Sequence, residues 1–123
     1  MMIKTSREAT LRYDNISRID LPQALIERIV ASIRRAVDAV AVYIFGSFAR
    51  GDQKAGSDID IYVVTPDATE SRHGAVVKIG VELFGLGMPR DVLAESPEGF
   101  ARKAAVLGSV EYDVQKEGVL IYG

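Results

Sequence analysis

Two short apolar runs, AVYIF over residues 41–45 and IDIYVV over 59–64, constrain this chain more than any other feature. Each is too short for a helix, rich in β-branched and aromatic residues, and closed by a chain breaker: Gly46 after the first, Thr65-Pro66 after the second. They read as neighbouring strands joined by a loop. Because a strand alternates its faces, Ile59, Ile61 and Val63 share one side, and Asp58, Asp60 and Tyr62 share the other. Aspartate is depleted in strands, since it competes with the backbone for hydrogen bonds and gives up hydration. Two carboxylates ~4 Å apart also repel by about 4 kcal/mol at an effective dielectric near 20. Either that face is merely wet, with Asp58 capping a turn and Asp60 in solvent, or it holds something positive.

The rest of the pattern predicts one mixed α/β domain over residues 21–123, preceded by an arm over residues 1–20. An amphipathic helix starts at Pro22 as a first-turn residue and carries Leu25, Ile26, Ile29, Val30 and Ile33 at helical spacing to about Ala39. A second helix, with Asp67 and Glu70 at capping-box spacing, buries Val76, Ile79 and Leu83. RDVLAE is a third strand, Ser96-Pro97 starts another helix, SVEYDVQKEG forms one more, and VLIYG ends the chain as a short strand. The fold class is therefore α/β (α+β), a small mixed sheet flanked by helices.

At 123 residues, 48% hydrophobic and 26% charged, the chain has the size and composition of one folded domain. Its net charge of −2 gives no footprint for stable nucleic-acid binding. With no cysteine there is no disulfide framework, thiolate metal site or thiol nucleophile. No stretch approaches the ~20 apolar residues that span a bilayer, and the expectation is a cytoplasmic protein with no membrane contact.

The strands bracket a loop whose chemistry belongs with the two aspartates. Gly46 lets the backbone approach a ligand, and Ser47 offers a hydroxyl and an amide to a phosphate oxygen. Hard cations such as Mg²⁺ take one or two carboxylates together with substrate phosphates, so Asp-x-Asp beside such a turn suits a metal that also holds a nucleotide. The stretch GSFARGDQKAGSDID, residues 46–60, resembles the signature G-S-x-x-R-G-x(5)-S-D-x-D of the minimal nucleotidyltransferases, a small branch of the DNA polymerase beta superfamily. The resemblance implies a polymerase-beta-like nucleotidyltransferase fold in which Gly46 and Ser47 bind the triphosphate of ATP and Asp58 and Asp60 hold two Mg²⁺ ions. It also implies that Arg50 positions phosphates or braces the loop, and that Ser57 orients the first aspartate. The third carboxylate of such sites, on a later strand, matches Asp91.

By the same resemblance, the activity is transfer of a nucleoside monophosphate, AMP from ATP first among them, to a hydroxyl of a protein. Larger relatives carry an acceptor-binding helical domain that this stretch does not include, so the acceptor is expected from a partner. Minimal members pair with an all-helical HEPN-type protein in toxin–antitoxin modules, and modification would neutralise a ribonuclease. The competing reading is a non-catalytic antitoxin that masks its partner and keeps a vestigial metal and nucleotide site. Self-association is compatible with so small a domain. His73 and Lys54 read as surface residues, Phe100, Tyr112 and Tyr122 as core or rim aromatics, and Glu111, Asp113, Lys116 and Glu117 as a solvated helical face.

Overall fold

In the computed structural model, which describes residues 9–123, four strands form one mixed sheet. They are β1 (Ala41–Phe45), β2 (Ile59–Val64), β3 (Arg90–Glu95) and β4 (Val119–Tyr122), in the order β3-β2-β1-β4. β1 is antiparallel to both β2 and β4, whereas β2 and β3 are parallel. Among the described residues the helices are α1 (Tyr13–Ile16), α2 (Gln23–Ala36), α3 (Ser47–Arg50), α4 (Arg72–Leu83), α5 (Pro97–Ala104) and α6 (Val110–Glu117). The parallel pair needs a crossover, since no tight turn can join parallel strands, and α4 supplies it. The expected mixed sheet flanked by helices is the architecture found.

The main core lies between the sheet and the pair α2 and α4. Ile26, Ile29, Ile33, Ile44, Ile61 and Ile79 are completely buried there, each worth about 2–3 kcal/mol relative to an exposed side chain. The opposite face is less uniform than the alternation of β2 alone implies. Tyr62 is fully buried, in a second cluster with Val64 and Val114. Phe100 stacks on Tyr43 at 5.7 Å and tilts against Tyr62 at 5.4 Å. The Tyr62 hydroxyl donates to Glu111 Oε2 at 2.7 Å, so its apolar ring and polar tip are both satisfied. The face bearing Asp58 and Asp60 is thus open where β2 begins and roofed by α5 and α6 from Tyr62 onward.

Three local details depart from the sequence pattern. α2 begins after Pro22, which sits at the cap with ψ 134°, and it ends at Ala36 because Val37 turns extended. Two bonds pin that exit: the Asp38 amide donates to Asp67 Oδ2 at 2.9 Å, and the Thr65 hydroxyl donates to the Asp38 carbonyl at 2.9 Å. With its carboxylate engaged there, Asp67 does not cap the next helix. Thr65 caps a 3₁₀ turn over Pro66–Thr69, and the Ser71 hydroxyl, accepting from the Gly74 amide at 2.9 Å, starts α4. Of the expected N-terminal arm, residues 1–8 lie outside the described residues. Farther along it, Ile16 and Ile19 are buried, and Thr10 and Arg12 donate backbone bonds to Gly123 and Ile121 along the outer edge of β4.

At the end of β3, Glu95 joins the sheet to its roof. Its carboxylate is buried and accepts from Lys103 Nζ at 2.6 Å, Arg72 Nη1 at 2.9 Å and the Ser96 amide at 2.9 Å. Gly99 in α5 is glycine because a Cβ there would overlap the Glu95 side chain. Burial raises the Glu95 pKa, but the Lys103 and Ser96 bonds and the nearby cations outweigh it and leave the carboxyl below its ordinary range. A group whose pKa is lowered on folding binds fewer protons in the native state, so its contribution is present at neutral pH and lost as pH falls through the lowered value. Glu95→Gln is expected to cost about 1–3 kcal/mol near neutrality. Denaturant melts between pH 7 and acid should show that deficit shrinking as pH falls; a pH-independent deficit would contradict the assigned charge role.

Candidate active site

Gly46 leaves β1 at φ 71° and ψ −146°, a conformation glycine alone adopts readily. A second constraint acts at the same atom: a Cβ on Gly46 would overlap the Asp60 carboxylate. The Gly46 carbonyl accepts from the amides of Ala49 and Arg50 at 3.1 and 3.0 Å, which winds the single turn of α3 with Ser47 as its first residue. Gly51, at φ 83°, then turns the chain outward. The loop is closed by Ser57, whose hydroxyl accepts from the Lys54 amide at 2.8 Å while its own amide donates to the Lys54 carbonyl at 3.0 Å. Asp58 emerges directly from that turn.

Strand pairing decides which carboxylates meet. Asp60 lies opposite Phe45 of β1 on one side and opposite Asp91 of β3 on the other. Paired strands run about 4.8 Å apart, and directly paired residues project to the same face. Asp60 and Asp91 are therefore cross-strand neighbours, and Asp58 is the preceding same-face residue. Burial, reinforced by the charges of Asp91 and Asp58, pushes the Asp60 carboxyl above its ordinary range, and only Arg50 acts the other way. Asp58 and Asp91 are exposed, and Asp60 is half-buried.

Arg50 bridges the loop to the roof, with Nε 3.2 Å from Asp52 and Nη1 3.4 Å from Glu117 of α6. A cavity of about 250 Å³ opens between them, and its lining includes Gly46, Arg50, Asp60, Val110, Asp113 and Glu117. Sequence reasoning took the acidic residues of α6 as merely solvated. The structure gives three of them tasks: Glu111 holds Tyr62, Glu117 holds Arg50, and Asp113 faces the cavity. For Asp113 and Glu117 the signal was the i, i+3, i+7 spacing with Val110, which puts those three on one side of a helix; Glu111 had none. His73 and Lys54 are exposed, and Phe100 and Tyr122 are packed into the structure.

All the donors around Asp60 are oxygens, the set that suits a hard divalent cation. Among the described residues no three acidic or imidazole side chains converge as a ready-made metal centre. An open arrangement is what mutual repulsion between neighbouring carboxylates favours.

The strand–Gly-Ser turn–strand unit thus carries carboxylates that lie in register across a parallel pair. Residues 26–121 match the profile of the nucleotidyltransferase domain, and the chain belongs to that family. Its fold is shared with two solved toxin–antitoxin structures. One, a toxin–antitoxin with AMP-PNP, superposes with a TM-score of 0.54 at 22% identity, over 80% of this chain and 73% of that one. The other, a mutant of the toxin–antitoxin MntA-HpeT, gives 0.52 at 19% identity over the same shares. No curated protein matches the chain significantly.

Gly46→Ala must displace Asp60 and adopt a disfavoured backbone, so it is expected to destabilise the domain by about 1–3 kcal/mol in thermal or urea melts. A neutral effect would place the Asp60 carboxylate elsewhere. Asp60→Asn removes repulsion that the fold imposes, so at neutral pH and without divalent cations it should raise the Tm; an unchanged or lower Tm would show that the three acids do not interact.

Proposed function

We propose that this domain is a Mg²⁺-dependent nucleotidyltransferase that moves AMP from ATP to a hydroxyl of a protein partner, an all-helical HEPN-type toxin, in the cytoplasm. The observation that carries this reading is the register pair Asp60–Asp91, with Asp58 beside it and the bare backbone of Gly46 against Asp60. Asp58 and Asp60 would hold one cation and Asp60 and Asp91 a second, adding to the partial relief that Arg50 already gives Asp60. When bound, such ions neutralise phosphate charge and stabilise the attacking and departing oxygens of an in-line displacement.

The chain's own residues divide the remaining work. Gly46 leaves room for phosphate oxygens at the backbone, and Ser47 offers its hydroxyl and amide to them. Arg50, held from behind by Asp52 and Glu117, presents positive charge at the cavity while keeping the loop in place. The Ser57 turn fixes the direction in which Asp58 leaves the loop. Asp91, exposed on β3, accepts the proton of the incoming hydroxyl as its oxygen bonds to the α-phosphorus and pyrophosphate leaves. The likeness of fold to toxin–antitoxin structures, one of them with AMP-PNP, supports both the nucleotide and the kind of partner. No helix among the described residues is long and apolar enough to cross a membrane.

The test is transfer of labelled AMP, with Mg²⁺, to an all-helical HEPN-type protein that binds this chain. Asp58→Ala with Asp60→Ala should lower transfer by roughly 10³-fold, the several kcal/mol a bound cation contributes, while the partner still binds. If the wild type binds the partner yet transfers nothing, the enzyme reading fails. Toxin neutralisation that survives the double substitution would point instead to an antitoxin acting by masking.

A further inference from the structure

The two edges of the sheet are finished differently. Along β4 the chain covers its own edge: the Arg12 amide donates to Ile121 at 3.0 Å, the Gly123 amide donates to Thr10 at 3.0 Å, and Leu11 bridges Tyr122. Along β3 no strand or segment among the described residues pairs with the outer edge. The amides of Ile59 and Thr65 donate to the carbonyls of Pro89 and Glu95, which puts Asp91 and Leu93 in the set that bonds to β2. By alternation Arg90, Val92 and Ala94 turn their backbone groups outward. Exposed edges are ordinarily blunted by a lysine, a proline or a bulge. The middle of β3 is Val92-Leu93-Ala94 in continuous register, with Leu93 41% exposed. Beside it runs a groove of about 510 Å³ whose lining includes Ser71, Arg72, His73, Val76, Val92 and Leu93 and no acidic residue.

We infer that the open edge of β3 receives an extended segment outside the helices of the acceptor protein as a fifth strand, which sets the acceptor hydroxyl opposite Asp91. This rests on the reading of Asp91 as the residue that meets the incoming hydroxyl. An added strand lies about 4.8 Å from β3, and the residue paired with Asp91 projects to the same face as Asp91 and Asp60. Main-chain bonds supply affinity in this mode, and alternate side chains supply choice. The Arg72 guanidinium stands at the Glu95 end, where it already bonds Glu95, with His73 beside it. The occupant of complementary chemistry is an apolar segment with its hydroxyl residue at the Asp91 end and an acidic residue at the other. A second copy of this chain would bring the same guanidinium to its own groove and lacks that complementarity.

Hydrogen exchange on the full chain, alone and with the HEPN-type acceptor protein, tests the inference. In the complex the amides of Arg90, Val92 and Ala94 should slow by about tenfold or more, and Ala94→Pro and Leu93→Lys should each weaken binding by about tenfold. Calorimetric binding of Mg²⁺-ATP, measured on both variants, separates loss of docking from loss of fold. A complex that leaves those three amides unprotected overturns the inference, as does failure to form any complex, or protection that appears in the chain alone through self-association. Protection without AMP transfer supports the docking mode while sinking the catalytic reading.

Discussion

Hydrogen bonding between β2 and β3 compels Asp60 and Asp91 to be neighbours, whatever their charges prefer. The ladder is anchored by the apolar face beneath it, where Ile59, Ile61 and Val63 are buried against α2 and α4. Slipping the register by one residue to part the carboxylates would turn that whole face toward solvent. The core energy is far larger than the repulsion of a pair of carboxylates, so the repulsion persists and adds to burial in raising the proton affinity of Asp60. Gly46 closes the remaining escape, since its missing side chain is the space into which the Asp60 carboxylate is directed. The affinity of this end of the sheet for positive charge is thus a by-product of how its other face is packed.

The elements near the motif were legible because local rules govern them. Short β-branched runs, a glycine at a strand end, and serines before helices each have a local cause, and β1, β2, α5 and α6 fall where those causes put them. Asp58 and Asp60 could be placed on one face by alternation alone. Asp91 could not, because only the parallel pairing of β2 with β3 brings it beside Asp60, and pairing is a property of the folded sheet. The cap of α4 was misjudged for a related reason: Asp67 has the right spacing for a helix start, but a distant amide, that of Asp38, takes its carboxylate.

The roof of the sheet was the least visible part. Tyr62 alternates in phase with the two aspartates, and nothing in β2 distinguishes a wet position from one covered by α5 and α6. The coverage becomes evident only through Phe100, Val114 and Glu111, which come from segments far along the chain. Glu117 extends the same roof to Arg50, so the loop that leaves β1 and the last helix of the chain are mechanically joined. Exposed pairs of this kind add little stability; their effect is on where the Arg50 guanidinium points.

The difference between the two sheet edges also sets how such a molecule can assemble. Open-ended ladders of the kind that build fibrils need a free edge on each side of every subunit, so that each added unit presents a new template. Among the described residues the Thr10–Arg12 segment occupies the β4 side and leaves one long edge, that of β3. Strand addition at that edge consumes it, and growth stops after a single event. The chain is monovalent in this mode: a bare, apolar edge can remain available to another protein without making the domain a seed for its own polymerisation.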